Sequence, residues 1–340
     1  MNGTVDPASV SAFAAHFVRT FERTPSAAAP LGLAVSGGPD SMALLALASS
    51  AWPGGVIAAT VDHGLRASAA GECAMVARAC AALAVPHTTL TADAPPVGAS
   101  LQAQARRLRY RLLIDWGGGA GCGALATAHQ ADDQAETFLM RAARGAGLSG
   151  LAGVRRARRV TASDGHGLLL VRPLLDWRRD TLRAIAERAG LPFVDDPAND
   201  DPRHDRTRFR RLLRDHAWLD TPHIARAAMH LAEADDELRR IADWAWRERA
   251  RRGEDETIRI DVADLPRGMR RRLAQCAIGA VRQMAAIGQP AWSPEANIEP
   301  LLDALERGRA ATRAGVLVRP AGNVWLFQAA PARRTDRRPT

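Results

Sequence analysis

Leu31–Ser41 reads LGLAVSGGPDS, and this stretch decides the fold. A short apolar run ends at Val35, the loop Ser36-Gly37-Gly38-Pro39-Asp40 follows, and a helical pattern starts near Ser41. Strand, glycine-rich turn and helix in that order make a phosphate cradle, because glycines without a Cβ let backbone N–H groups close on an anion. The helix that follows aims the positive end of its dipole at the same spot. The loop cannot be of the GxxxxGK[ST] kind, since it holds no lysine. The chain as a whole holds none: all 46 Lys+Arg residues are arginine. Chemistry that needs a lysine of the protein itself, such as a Schiff base or self-adenylation, is thereby excluded.

Outward from the loop, strands are expected at 31–35, 56–62, 86–91 and 123–128, with helices near 41–51, 68–84, 98–116 and 132–144. An N-terminal helix over 9–23 sets Phe13, Phe17 and Phe21 on one face. Near-continuous apolar strands alternating with helices predict a parallel sheet covered on both sides, with ligands beyond the carboxyl ends of its strands. A hairpin turns at Asp164-Gly165, a helix over 178–189 ends at Gly190, and 195–214 is a loop leading into a short helix. Thr221-Pro222 starts a helix to about 252, followed by helices over 266–287 and 294–307 and a pair of strands over 315–328. The fold class is therefore α/β: a parallel-sheet nucleotide-binding domain over 1–215, a smaller mainly helical domain over 216–330 with a short terminal β segment, and a basic tail over 331–340.

Composition narrows the partners. Ser41–Val61 is uncharged, but Pro53-Gly54-Gly55 breaks it, so a core helix, a turn and a buried strand are expected rather than a membrane span. The start of the chain lacks a signal pattern, and a cytoplasmic location with no membrane partner is expected. Cys73, Cys80, Cys122 and Cys276 have no CxxC spacing, which argues against structural zinc or an iron–sulfur cluster. Residues 1–150 hold ten arginines against ten acids, so the whole net charge of +9 lies after residue 150. A neutral half joined to a basic half points to a polyanionic substrate.

After the fourth strand come His129, Asp132, Asp133 and Glu136, at helical spacings of three, four and seven. In a helix they share one face at a strand's carboxyl end, where three carboxylates and an imidazole suit Mg²⁺ or a cationic amine.

Ser36, Gly37, Gly38, Asp40 and Ser41 match each fixed position of SGGxDS, and the loop resembles the pyrophosphate loop of the N-type ATP pyrophosphatases (the PP-loop superfamily). Leu125–Val154, LATAHQADDQAETFLMRAARGAGLSGLAGV, is similar to the signature of the tRNA(Ile)-lysidine synthase family. Val61–Arg66 resembles its [ND]HGLR, Ala105–Tyr110 its ARxxRY, and Arg172–Leu175 followed by Asp196–Asn199 two further segments, in family order over roughly 30–215. Two positions depart: the family's second histidine is Gln130, and the asparagine of its RNxxR is Thr207 between Arg206 and Arg210.

The resemblance implies a carbon–nitrogen ligase. It would join L-lysine to C2 of the wobble cytidine of CAU-anticodon tRNA(Ile), through an adenylated cytidine, with release of AMP and pyrophosphate. That change moves decoding from AUG to AUA and identity from methionine to isoleucine. ATP is the cosubstrate, Mg²⁺ the expected cofactor, tRNA(Ile) and L-lysine the partners, with a homodimer left open. Ser36, Gly37, Gly38, Pro39, Asp40, Ser41 and His63 would bind ATP, with Asp40 also at the metal. Asp40, Arg106, Arg109, His129 and Asp132 are the expected catalytic groups, and Asp133 and Glu136 the lysine site. Arg206, Arg210, Arg270, Arg271 and Arg272 are the expected tRNA contacts. The base that deprotonates lysine stays open between His129 and an acidic neighbour. Competing readings are a tRNA thiolase, for which the chain lacks a CxxC; an NAD or GMP synthetase-like ligase, which leaves the HxxDDQAET stripe unexplained; and a tRNA-binding protein without catalysis.

Overall fold

The computed structural model describes residues 3–62, 64, 69–92, 101–195, 205–253, 255–293 and 296–331. The chain forms two compact units, 1–232 and 233–340.

The first unit opens with α1 (Pro7–Phe21), whose start is fixed by Asp6 accepting from the N–H groups of Ala8 and Ser9 and by Pro7. Phe13, Phe17 and Phe21 are buried as the spacing predicts, with Phe17 and Trp52 ring centroids 4.9 Å apart. Alternating elements follow: β1 (Leu31–Ala34), α2 (Pro39–Ala51), β2 (Val56–Asp62), α3 (Ala69–Ala82), β3 (His87–Thr91), α4 (Leu101–Gly119), β4 (Ala124–Ala126) and α5 (Ala131–Ala142). Then come α6 (Leu148–Leu151), the hairpin β5 (Ala157–Thr161) and β6 (Gly167–Val171), α7 (Arg179–Arg188), α8 (Asp205–Asp215) and the start of α9 (Thr221–Arg249).

The six strands lie in the order β3-β2-β1-β4-β6-β5, parallel except for β5, which pairs antiparallel with β6. The chain builds outward from β1 through β2 to β3, then returns to place β4 on the other side of β1. β1 is thus flanked by both, with Leu31 opposite Val56 and Ala124. That reversal is the switch point at which open α/β sheets leave a crevice for ligands. The phosphate loop leaves β1 there, and the His129–Glu136 segment leaves β4 beside it. α2 explains the uncharged stretch: Ser41 to Ala48 are all buried, so the helix is core throughout. Among the described residues no helix is long and apolar enough to cross a membrane.

The second unit contains the rest of α9, β7 (Ala250–Arg252), β8 (Ile258–Asp261), α10 (Arg267–Met284), α11 (Glu299–Glu306), β9 (Ala311–Arg313), β10 (Val316–Ala321) and β11 (Val324–Ala329). The expected terminal pair is present as β10 and β11, but inside a five-stranded antiparallel sheet ordered β7-β8-β11-β10-β9. One face of this sheet buries Ile258, Ile260, Val316, Val318, Trp325 and Phe327 against Leu273, Ile278 and Val281 of α10 and Leu301, Leu302 and Leu305 of α11. Sequence patterning misses three of its strands because Ala250-Arg-Arg continues a helical run and the other two have only three or four residues.

Candidate active site

A cleft of about 820 Å³ opens at the carboxyl ends of β1, β2 and β4 in the first unit. Its apolar wall is Ala34, Val35, Ala59, Val61 and Leu113, and its polar wall is the phosphate loop, His129, Asp133, Arg109, Arg179, Arg206 and Arg210.

The loop is tightly tied. Ser36 donates its N–H to Ser41 Oγ (3.1 Å), and Ser41 Oγ donates to the Gly38 carbonyl (2.9 Å). Val194 N–H donates to the Gly37 carbonyl (2.9 Å), anchoring the turn from outside. Gly37 has φ +83°, and a Cβ there would sit 3.2 Å from Met75 Cε, so the position requires glycine. Among the described residues nothing accepts from the N–H of Gly37 or Gly38. Both remain available at the N-terminus of α2 for an anion.

Asp40, in the first turn of α2, has its Oδ1 buried without a partner. Burial, reinforced by the charge of Asp133, pushes its carboxyl up to about 6 against the pull of Arg179. A buried carboxylate oxygen lacking a donor fits a hard divalent cation. Among the described residues no group of three or more His, Cys, Asp or Glu side chains could hold a metal. A cation at Asp40 would therefore draw its other ligands from phosphates and water, as Mg²⁺ commonly does.

His129 lies in the connection after β4, ahead of α5, so it does not share the helical face expected for it. Its Nδ1 faces Thr127 Oγ1 at 3.0 Å and its Nε2 faces Arg106 Nη2 at 3.5 Å. Burial and the charges of Arg172, Arg106, Arg206 and Arg109 hold its pKa well below the usual imidazole value, so the ring is neutral. Arg106 lies over the Tyr110 ring, 5.1 Å from its centroid. Among the described residues no carboxylate pairs with Arg109, and burial, with the like charge of Arg106, lowers its pKa. Arg172, 7% exposed, donates to the Arg155 carbonyl (2.6 Å) while its Nε has no partner. An arginine-rich wall with no acid of its own is a site for anions.

Opposite stands the carboxylate pair. Gln130 caps α5, its Oε1 accepting from the N–H groups of Asp132 and Asp133. Asp133 accepts from Arg206 Nη2 (2.7 Å) and Arg179 Nη2 (3.4 Å). Glu136 accepts from Arg206 Nε (2.6 Å), Arg179 Nη2 (2.9 Å) and Arg210 Nε (2.9 Å). Burial would raise Glu136, but the three arginines overcome it and hold the carboxyl below the ordinary glutamate value. For Asp133 burial wins over Arg206, and its pKa is raised.

Three expectations are relocated. Asp132 does not line the cleft: it accepts from Arg178 Nε and Nη2 (both 3.1 Å) and from the Arg179 N–H (2.9 Å), at the start of α7. Arg206 and Arg210, expected at tRNA, turn inward onto Asp133 and Glu136, where the nearest opposite charge lies. Arg271 and Arg272 in the second unit pair with Glu299 (2.5 Å) and Asp235 (2.7 Å), and Arg270 lies 3.8 Å from Glu306. Thr207 is buried in α8. His63 lies outside the described residues, as do Asp196–Asn199. Sequence reasoning named Tyr110 and Arg172 only within family-like segments, without a site role, and missed Arg179, whose place in the first turn of the helix after β6 was the available signal.

Two comparisons with known proteins bear on the class. A PP-loop domain family matches residues 11–217, and U34-tRNA thiolase NcsA from Methanococcus maripaludis shares the fold, with TM-score 0.52, 17% identity, and coverage of 66% of this chain and 79% of that one. The first unit is a PP-loop domain of the ATP pyrophosphatase kind. More specifically, the chain is 43% identical to the tRNA(Ile)-lysidine synthase of Zymomonas mobilis over 89% of both chains. It is 42% identical to that of Novosphingobium aromaticivorans, over 90% of this chain and 91% of the relative. The chain belongs to the tRNA(Ile)-lysidine synthase family.

Proposed function

We propose that this protein ligates L-lysine to C2 of the wobble cytidine in CAU-anticodon tRNA(Ile), with ATP split to AMP and pyrophosphate. The cytosine O2 is a poor leaving group. Its adenylation makes AMP the leaving group, and the lysine ε-amine then attacks C2. Membership of the family supports this reading, and one observation of the site carries it. A single cleft joins the glycine anion cradle, Arg109 with no carboxylate partner among the described residues, and the buried Asp133 already holding Arg206 and Arg179.

Each part has work in such a reaction. Gly37 and Gly38 N–H groups would hold the departing pyrophosphate. Asp40 would hold Mg²⁺, which supplies charge neutralisation for the phosphates. Arg109 and Arg106 would stabilise negative charge at the α-phosphate. Asp133 and Glu136 would receive the lysine ammonium in place of the arginines that now satisfy them. Reaction needs a neutral ε-amine. His129, neutral but weakly basic, can accept a hydrogen bond; Asp133, raised by burial, is the better proton acceptor of the carboxylate pair. A tRNA substrate would put the enzyme in the cytoplasm.

A thiolase reading finds little support. Cys73 is the cysteine that lines the cleft, and burial raises its thiol above the ordinary value, away from the thiolate that sulfur transfer needs. The test combines ATP, L-lysine, Mg²⁺ and unmodified CAU-anticodon tRNA(Ile). AMP release and lysidine in the digested tRNA, both dependent on lysine, are expected. Sulfur incorporation, or AMP release with no change in the tRNA, would overturn the reading.

A further inference from the structure

Strand alternation that buries Ile258, Ile260, Trp325 and Phe327 under α10 and α11 turns the neighbouring residues to the opposite face of the second unit's sheet. Register then places Arg251 opposite Arg259, Arg259 opposite Leu326, and Leu326 opposite Arg319, one row across β7, β8, β11 and β10. Neighbouring strands lie about 4.8 Å apart, so the row spans roughly 14 Å. All three arginines are exposed, and Leu326 is half-buried between them.

Among the described residues no carboxylate forms an ion pair with Arg259 or Arg319. Two acids close to Arg259 in sequence have partners of their own. Asp261 lies 3.6 Å from Arg249 and accepts from the Ala263 N–H, and Asp255 accepts from Thr257 Oγ1 at 2.7 Å. Arg251 donates to the Ala250 and Arg247 carbonyls, which leaves its charge unbalanced. Two like charges directly opposite across a ladder are unfavourable unless an anion lies over them. Arg270, Arg271 and Arg272 are the contrast, each already facing an acid.

We propose that this open sheet face docks the sugar–phosphate backbone of the tRNA substrate, with Arg259 and Arg319 as its principal contacts. The inference rests on tRNA being the substrate. A regular row of guanidinium forks on a rigid sheet matches a regular row of phosphates, each fork able to hold two oxygens of one phosphate. Such contacts carry no sequence information and release counterions.

The experiment measures binding of unmodified tRNA(Ile) at several salt concentrations for the parent chain, Arg259→Gln/Arg319→Gln, Arg259→Lys/Arg319→Lys, and the control Arg19→Gln/Arg78→Gln from the exposed surface of the first unit. The glutamine pair is expected to bind roughly tenfold or more weakly at about 0.1 M salt, with a log–log salt slope shallower by about 1.4–1.8. The lysine pair restores most of the slope, and the control matches the parent. Affinity for ATP stays at the parent value, and the melting temperature does not fall. A glutamine pair with the parent's slope, or a loss that lysine does not restore, overturns the docking face. A parent that releases AMP with tRNA but shows either result overturns this inference alone; a parent that neither binds nor modifies tRNA overturns the functional reading beneath it.

Discussion

Glu136 is the buried acid that three arginines lining the cleft share. Its side chain is 1% exposed and three guanidiniums converge on it. Removing its charge leaves cations buried without their shared acid, which is costlier than losing a surface pair. Glu136→Gln is expected to cost about 3–5 kcal/mol of stability, read by chemical denaturation. The pH dependence follows from the lowered pKa. The folded state binds its proton less readily than the unfolded state, so the contribution is complete above the unfolded value near 4.5 and lost as pH falls through the lower folded value. Acid unfolding of the parent should therefore show a limb below about 4.5 that Glu136→Gln flattens. Asp133→Asn is the gentler probe: adenylated tRNA should still form, while the lysine KM rises roughly 10- to 150-fold for one charge-assisted contact of about 1.5–3 kcal/mol. Unchanged lysine dependence would show that the pair serves the fold alone. In the loop, Gly37→Ala meets both the positive φ and Met75. It should lower stability by about 1–2 kcal/mol and suppress AMP formation. These residues are legible in the sequence because loop, spacing and charge coincide in short segments. The partners of Asp133 and Glu136 are not, since Arg179 and Arg206 stand 43 and 70 residues from Glu136 and nothing local announces the pairing.

Elements decide where these groups point. In α5, capped by Gln130, the two consecutive first-turn carboxylates diverge: Asp133 lines the cleft and Asp132 bonds the start of α7. Spacings of three and four from His129 group them on one broad face, yet consecutive helical residues stand about 100° apart, so one reaches the cleft and the other α7. The Arg178 fork and the Arg179 N–H fix the start of α7 through Asp132, and with it the guanidinium of Arg179 over Glu136. Asp132 is therefore expected to act as a positioning residue. Asp132→Asn keeps one acceptor for the α7 cap but loses the charged fork, with Arg178 42% exposed and partly screened. The expected cost is about 1 kcal/mol, and Asp132→Ala about 1–2 kcal/mol. Activity should fall through the lysine step, with partial recovery in the asparagine variant; equal and complete loss in both would mean direct catalysis. The long elements of the first unit are legible because periodicity accumulates over ten or more residues. Strands β7, β8 and β9 are too short to accumulate any, and their pairing is non-local.

At the scale of the molecule, charge and architecture divide differently. The excess of +9 lies after residue 150, yet the units divide between Ala232 and Glu233, within α9. Part of the basic excess therefore belongs to the first unit, and the ion pairs of Arg179, Arg206 and Arg210 show where some of it goes. Net charge by segment points to a polyanion but cannot say which arginines remain for it, because pairing is decided by packing. Each unit has its own hydrophobic core, one around Leu44, Leu45 and Leu47, the other around Phe327, Trp325 and Leu302. Separate cores predict separable failure. Phe327 is fully buried, so Phe327→Ala should cost the second unit about 3–5 kcal/mol, while Leu44→Ala should cost the first about 2–5 kcal/mol. Hydrogen exchange should localise each loss to the unit that carries the change. Phe327→Ala should weaken tRNA binding and keep the parent's ATP affinity, whereas Leu44→Ala should lose ATP binding first, because Leu44 lies in the helix whose N-terminus forms the phosphate cradle. Exchange that rises throughout both units in either variant, or ATP affinity that falls with Phe327→Ala, would mean that the two cores unfold as one.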